Sequence, residues 1–480
     1  MNKNRGAMKR ILIIAFITLL LPILAYTACT DNGLTLTPAS LALSDVQDCV
    51  TDAEVGDTIL LTGTSTWGAA ASQLAVNKVI TIDGQNSTTI TISNSANNGW
   101  TAAIISISAA ATVKSMTING SSSVKNPAFT VSTANDWRIT DITYTGGSIE
   151  GYFMYVAGVY GLLDNCSITG GNGSSELVFA RGPTDSWTTA NSLGGADNLF
   201  IEENTFAGSG YVTDINSNGR AVVRFNTISG KMKIDGHGLA SNSPANGVRH
   251  MEIYGNTWTS ASTFFPSIEV RGGTGFIFNN LSPNTDSSRL LLMEYCSSAV
   301  WANCDSECKC VEDRPITDMI GRGINNTDVP MYLWNNSRNS SDWTEVSYPP
   351  GEACVTACGG DFDILGDIIQ SDDDYYRGGI VAQSDSSTPF DGQTGVGFGT
   401  LERIPATCAA GRGYWANDQG SWNSSETLPV SNPGEDGVFY SCDAGGDAWS
   451  VAYTPYTYPH PLREAAAAVP SNAIQGVTIN

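Results

Sequence analysis

A short phrase recurs through the middle of this chain: Phe200-Ile-Glu-Glu-Asn204-Thr-Phe, Val222-Val-Arg-Phe-Asn226-Thr-Ile, Glu252-Ile-Tyr-Gly-Asn256-Thr-Trp and Phe276-Ile-Phe-Asn-Asn280-Leu. A weaker copy is Gly161-Leu-Leu-Asp-Asn165-Cys, and by subtraction the five asparagines lie 39, 22, 30 and 24 residues apart. Repetition at this period is the mark of a solenoid, in which no single unit can bury its apolar face alone. Each phrase alternates apolar and polar residues as a strand does and ends where the chain should bend.

A second strand follows each phrase: Tyr211–Asn216, Lys231–Asp235, Ser267–Arg271 and Leu290–Glu294, punctuated by Asn218-Gly219, Gly236-His-Gly238 and Gly272-Gly273. Two or three short strands per repeat, with no helical period between them, predict an all-β chain and specifically a parallel β-helix. Coils of that fold stack about 4.8 Å apart and equivalent residues form columns. Asn204, Asn226, Asn256 and Asn280 are therefore expected to form an inward ladder, bonded side chain to side chain and to bend carbonyls.

At 480 residues, with 50 glycines and only 15% charged residues, the composition suits many bends and few surface helices. The formal charge of −23 argues against nucleic acid or an anionic membrane as a general partner. The acidity is uneven: residues 180–290 hold eight basic and nine acidic residues, whereas 291 onward holds eight and 26. Lys9-Arg10 ahead of the apolar run Ile11–Ala25 reads as a signal peptide (1–28), cleaved near Thr27 or Ala28. Lipidation of Cys29 is the lesser alternative, because Tyr26 suits it poorly. No other stretch is long and apolar enough for a membrane span, so an exported protein is expected, with disulfides as the default use of cysteine.

Of 11 cysteines, Cys29 and Cys49 bracket an N-terminal cap (29–62), and Cys408 and Cys442 bracket an aromatic module (401–450) with Trp415, Trp422 and Trp449. Cys354 and Cys358 share a loop, while Cys296, Cys304, Cys308 and Cys310 crowd an insertion (296–328) that reads as a disulfide staple. Cys166 is the expected buried free thiol. Asp45–Asp52 reads as a cap helix, needed because the end of a solenoid exposes apolar cross-section and open strand edges. The coils are expected over 63–340, since Met331-Tyr-Leu-Trp-Asn-Asn336 resumes the phrase, followed by an irregular Gly/Ser/Asp-rich region (341–400). The aromatic module reads as a packed cap rather than a sugar-binding surface. Prolines 455, 459 and 461 predict that the tail (451–480) runs extended along the coils. Asp372-Asp-Asp374 reads as a solvated loop, and His250 and His460 as structural.

The cap helix, the Asn-Thr phrases, Arg271-Gly-Gly-Thr-Gly-Phe-Ile-Phe-Asn-Asn280 and the Tyr453–Leu462 tail together resemble secreted bacterial right-handed parallel β-helix proteins of the pectate-lyase-like class. The resemblance covers nearly all of the chain after the leader and implies a right-handed coil. It does not fix an activity, because that architecture carries lyases, hydrolases, epimerases, adhesins and spikes. The order Asp214, Gly236-His237-Gly238, Arg271 is similar to polygalacturonase-type hydrolases, but no adjacent Asp-Asp pair is present and Arg271 precedes Gly-Gly. Pectate-lyase signatures are absent too, as Arg403-Ile-Pro405 lacks a second arginine.

Setting Ala180, Ile215, Ile234, Val270 and Met293 in one column places Arg181, Asn216, Asp235, Arg271 and Glu294 in the next. Asp214, Lys233 and Glu269 then lie on the other side, with Asn218 and His237 beyond. The expected catalytic residues are Asp235, Arg271, Lys233 and His237, and the expected substrate-binding residues are Arg181, Asn216, Asn218 and Glu294. A lyase would use Arg271 or Lys233 as base while Asp214, Asp235 and Glu269 hold Ca²⁺. A hydrolase would use Asp214 and Asp235 as paired carboxyls. The chain thus reads as an exported protein that binds an extracellular polysaccharide along the outer face of 176–295 and, if an enzyme, cleaves it, with a lyase preferred over a hydrolase. The alternative is a non-catalytic adhesin, coat or spike.

Overall fold

A computed structural model describes residues 29–68, 73–93, 103–121, 127–147, 152–170, 175–184, 187–237, 247–259, 267–282, 290–292, 320–324, 327–339, 341–342, 371–379, 389–424 and 436–464. The leader, the insertion cysteines, Cys354, Cys358 and Glu294 lie outside them. Among the described residues the protein is all-β apart from one α-helix and short 3-10 turns. Its strands stack in parallel, coil upon coil, as a solenoid.

Three ladders run up the stack. The first joins Gly161–Asp164, Leu199–Glu202, Arg220–Arg224, His250–Tyr254, Thr274–Phe278, Met331–Trp334 and Tyr375–Arg377. The second joins Ser167–Thr169 to the starts of Thr205–Asn216 and Thr227–Gly236, and then Thr257–Trp258, Leu281–Ser282 and Ser337–Arg338. The third joins Met154–Ala157, Ser175–Arg181, the ends of the same two long strands, Ile268–Val270 and Leu290–Leu292. The stack begins with Thr35–Pro38 on Thr58–Leu60 and ends with Tyr375–Arg377, beyond the expected limit at residue 340.

The asparagine ladder is present. Asn204, Asn226, Asn256, Asn280 and Asn336 are buried, and each of the first four donates from Nδ2 to the next side-chain oxygen at 2.9–3.1 Å. The same oxygens accept backbone N–H groups, so the bend is satisfied without water. Asn165 does not belong to it. Register places Asp164 level with Glu202, so the slot falls to Cys166, whose N–H bonds Asn204 Oδ1 at 2.9 Å. Cys166 is a buried free thiol, and burial pushes its pKa well up.

The cap helix, Leu43–Asp52, buries Val46, Cys49 and Val50 over the first coils. Gln47 covers the open strand edge, its amide donating to Ala75 O and accepting Ala75 N. Cys29–Cys49 ties the helix down, and Cys408–Cys442 closes the aromatic module. That module is a second sheet, Val396–Gly399, Gly413–Ala416, Val438–Cys442 and Trp449–Tyr453. Trp415 and Trp422 are buried in one cluster with Tyr254, Phe276, Phe278, Tyr332 and Trp334 of the first ladder. Those two indoles therefore pack on the coils rather than presenting a sugar platform.

The tail follows the coils. Buried Arg224 donates to Tyr456 O at 2.7 Å and Thr457 O at 3.0 Å while bonding Glu202 at 2.7 Å and Tyr254 Oη at 3.0 Å. Arg463 reaches Asp164 and Glu202 at 3.1 Å, and Tyr453 Oη donates to Glu252 at 2.5 Å. Asp374 is not a solvated loop residue, since it is buried and paired with Arg322 at 3.0 Å.

Candidate functional site

Stacking in the third ladder brings three carboxylates into one column: Phe179, Asp214, Asp235, Glu269 and Leu291 occupy successive levels. Their chain neighbours Ile215, Ile234, Ile268 and Val270 belong to the core, so this column lies on the outer face. The expected alignment was displaced. It set Ile234 level with Ile215 and Val270, whereas Gly236 holds that place. Matching apolar to apolar misses a glycine, yet here a Cβ would come within 2.4 Å of Met251 Sδ. The slip is two residues, so the outward set stays outward while its levels change.

Arg181 pairs with Asn216, and the bonds His237 N–H to Ile215 O and Arg271 N–H to Gly236 O carry the ladder one residue further. Arg181, Asn216, His237 and Arg271 thus form the adjoining column, and Asp235 does not belong to it. On the other side Tyr211 stands level with Glu176 and Lys233, followed by an irregularity between Tyr211 and Thr213.

The charged groups form one knot. Arg271 donates from Nε to Glu269 Oε1 at 2.7 Å and from Nη2 to Asp235 Oδ1 at 3.2 Å. Lys233 Nζ contacts Glu269 Oε2, lies 3.9 Å from Asp235 Oδ1, and sits 4.3 Å above the Tyr211 ring. Asp235 is fully buried, and Asp214, Lys233 and Glu269 are each only 5% exposed.

Electrostatics splits the carboxyls. Burial and the neighbouring charges of Asp235 and Glu176 push Asp214 well up. Burial pushes Asp235 up to about 7, with Glu269 adding to the shift and Arg271 and Lys233 opposing it. Glu269 is held below its ordinary value, because the charges of Arg271 and Lys233 outweigh its burial. Two buried oxygens, Asp214 Oδ1 and Asp235 Oδ2, have no hydrogen-bond partner. Such orphans fit carboxyls that carry a proton rather than two bare anions.

These residues do not fit the expected Ca²⁺ site. That ion takes about six to eight oxygen ligands, while Asp235 and Glu269 already neutralise Arg271 and Lys233. Among the described residues no three His, Cys, Asp or Glu side chains converge as a metal site. Asn216 is committed to its turn, Oδ1 accepting Ser217 N at 2.6 Å and Ser217 Oγ at 3.0 Å. Asn218, with φ +68°, shapes the same turn and bonds Gly247 O at 2.9 Å. Arg181 is exposed beside Phe179, and His237 is half-buried. Sequence reasoning missed Glu176 and Tyr211, although both follow once the strand register is known.

No family model matches this chain, and no curated protein matches it in sequence. Among solved structures, ORF18 of Geobacillus virus E2 aligns at 15% identity with a TM-score of 0.22. The alignment covers 50% of each chain, so the protein spans about half the length of that structure. A likeness this slight bears on neither fold nor function.

Proposed function

We propose that this is an exported right-handed parallel β-helix protein of the pectate-lyase-like kind that binds an extracellular polysaccharide along the outer face of the third ladder and hydrolyses it. The observation that carries the reading is the stacked pair Asp214 and Asp235, two outward carboxyls on adjacent coils, both pushed up and each with an orphaned oxygen. Their strands lie one coil apart, about 4.8 Å, and burial favours the protonated form of both carboxyls. One would donate to a leaving glycosidic oxygen while the other acts as nucleophile or base.

Arg271 divides the roles. It bonds Asp235, so Asp235 ionises first and serves as nucleophile or base, leaving Asp214 as the acid. Hydrolysis now stands ahead of the lyase reading, because Lys233 and Arg271 are bound in ion pairs and ill-placed to abstract a proton. Arg181 and His237 border the pair and would contact the sugar chain. Two disulfides among the described residues suit an extracellular setting.

The non-catalytic rod remains a second reading, favoured by the burial of Asp235 and by the self-neutralised knot. Incubating purified protein with acidic and neutral glycans decides between them. New reducing ends support hydrolysis and unsaturated uronate absorbance a lyase. Glycan binding with no product supports an adhesin.

A further inference from the structure

A buried amine and a buried carboxylate meet in the knot in an arrangement suited to covalent chemistry on the protein itself. We propose that Lys233 and Glu269 condense to an intramolecular amide that joins two adjacent coils. Their strands, Thr227–Gly236 and Ile268–Val270, are paired neighbours, and the ladder holds Nζ of Lys233 against Oε2 of Glu269. Both side chains are almost fully buried, and the Tyr211 ring covers the amine at 4.3 Å. Fixing two reactants in this way removes most of the entropic barrier to their reaction. Burial by itself favours a neutral amine and neutral acid over the ion pair. It acts in opposition to the charges of Arg271 and Lys233 that hold Glu269 ionised, so the linkage is expected to form slowly.

The neighbouring groups supply the rest. Arg271 Nε bonds the other carboxyl oxygen, Oε1, at 2.7 Å, where it polarises the carbonyl and stabilises the oxyanion of a tetrahedral intermediate. Asp235 places Oδ1 3.9 Å from the amine and keeps a buried second oxygen without a partner, which makes it the proton carrier. The ammonium first gives one proton to Glu269 Oε2, leaving a neutral amine and a carboxylic acid. The nitrogen lone pair then attacks Glu269 Cδ, forming the N–C bond while charge develops on Oε1. Asp235 takes a second proton from nitrogen and passes it to the Oε2 hydroxyl, the C–O bond breaks, and water leaves. Ammonium plus carboxylate becomes amide plus one water, with no net gain or loss of protons and no oxidant.

The readout is mass, independent of any glycan activity. Purified full-length protein is reduced, denatured, digested with trypsin and analysed by mass spectrometry. Cleavage at Arg249 separates residues 232–249, which hold Lys233, from residues 250–271, which hold Glu269. The linked species has the same mass as uncleaved 232–271, so fragmentation and N-terminal sequencing identify it. The expected product is one species with two N-termini, Met232 and His250. Lys233→Arg keeps the charge but cannot form the amide, so the linked species should vanish while circular dichroism stays β-rich. Asp235→Asn should slow the linkage. Separate, unmodified peptides from folded wild type, including after prolonged incubation, overturn the proposal. Equal linkage in D235N removes Asp235 from the mechanism.

Discussion

Asn256→Ala strikes the middle of the asparagine ladder. The Asn256 side chain donates to Val223 O at 2.8 Å and Asn280 Oδ1 at 3.0 Å, and accepts from Asn226 N at 3.1 Å and Asn226 Nδ2 at 2.9 Å. Asn226 Nδ2 and Asn280 Oδ1 keep other partners, but Asn226 N and Val223 O lose these bonds in a site closed to water. An orphaned buried group costs about 1–3 kcal/mol, so two such losses come to about 2–6 kcal/mol. The void left by the missing amide adds to this. Equilibrium unfolding in guanidinium chloride, followed by far-ultraviolet circular dichroism, measures the loss. A lower midpoint with an unchanged slope is expected. A loss below about 1 kcal/mol would refute the view that the ladder is a closed hydrogen-bond chain.

Three further outcomes test other parts of the molecule. Burial pushes Glu252 up to about 7 from its ordinary 4.5, against the opposing bonds from Tyr453 and Gly194. The native state therefore holds this proton more tightly than the unfolded chain. The stability from Glu252 is fully present below pH 4.5 and lost as pH rises toward 7, so Glu252→Gln should flatten the pH dependence of the unfolding midpoint by up to about 3 kcal/mol. Arg224→Met leaves Glu202 buried and two tail carbonyls without their donor; it should cost about 3–5 kcal/mol and speed proteolysis within the tail. Cys408→Ser/Cys442→Ser opens a loop with a sequence separation of 34; a loss of about 3–4 kcal/mol is expected in a chemical unfolding titration.

The architecture was legible because the coils repeat a strong local signal. Asn204, Asn226, Asn256 and Asn280 each end an alternating strand, and one interaction explains all four. The weaker copy misled by one place, since Cys166 fills the ladder slot with a thiol and puts Asn165 at the bend with φ +52°. The charged cluster was legible in part, and its levels were not. Asp214, Lys233, Asp235, Glu269 and Arg271 do converge, but Gly236 carries no hydrophobic signal and hid the register that stacks the carboxyls. The prolines revealed the extended tail. The charges beneath it gave no warning: Asp164 and Glu202 meet Arg463, and Arg224 meets the carbonyls of Tyr456 and Thr457, all more than 200 residues away in sequence.

The central functional claim is that Asp214 and Asp235 act as an acid and nucleophile or base pair on a bound glycan. The most direct measurement compares wild type with Asp214→Asn and Asp235→Asn for binding and cleavage of whichever polysaccharide wild type hydrolyses, after circular dichroism shows both variants folded. The account predicts retained binding and at least about a hundredfold loss of new reducing ends in each variant. Undiminished cleavage in either variant would contradict it.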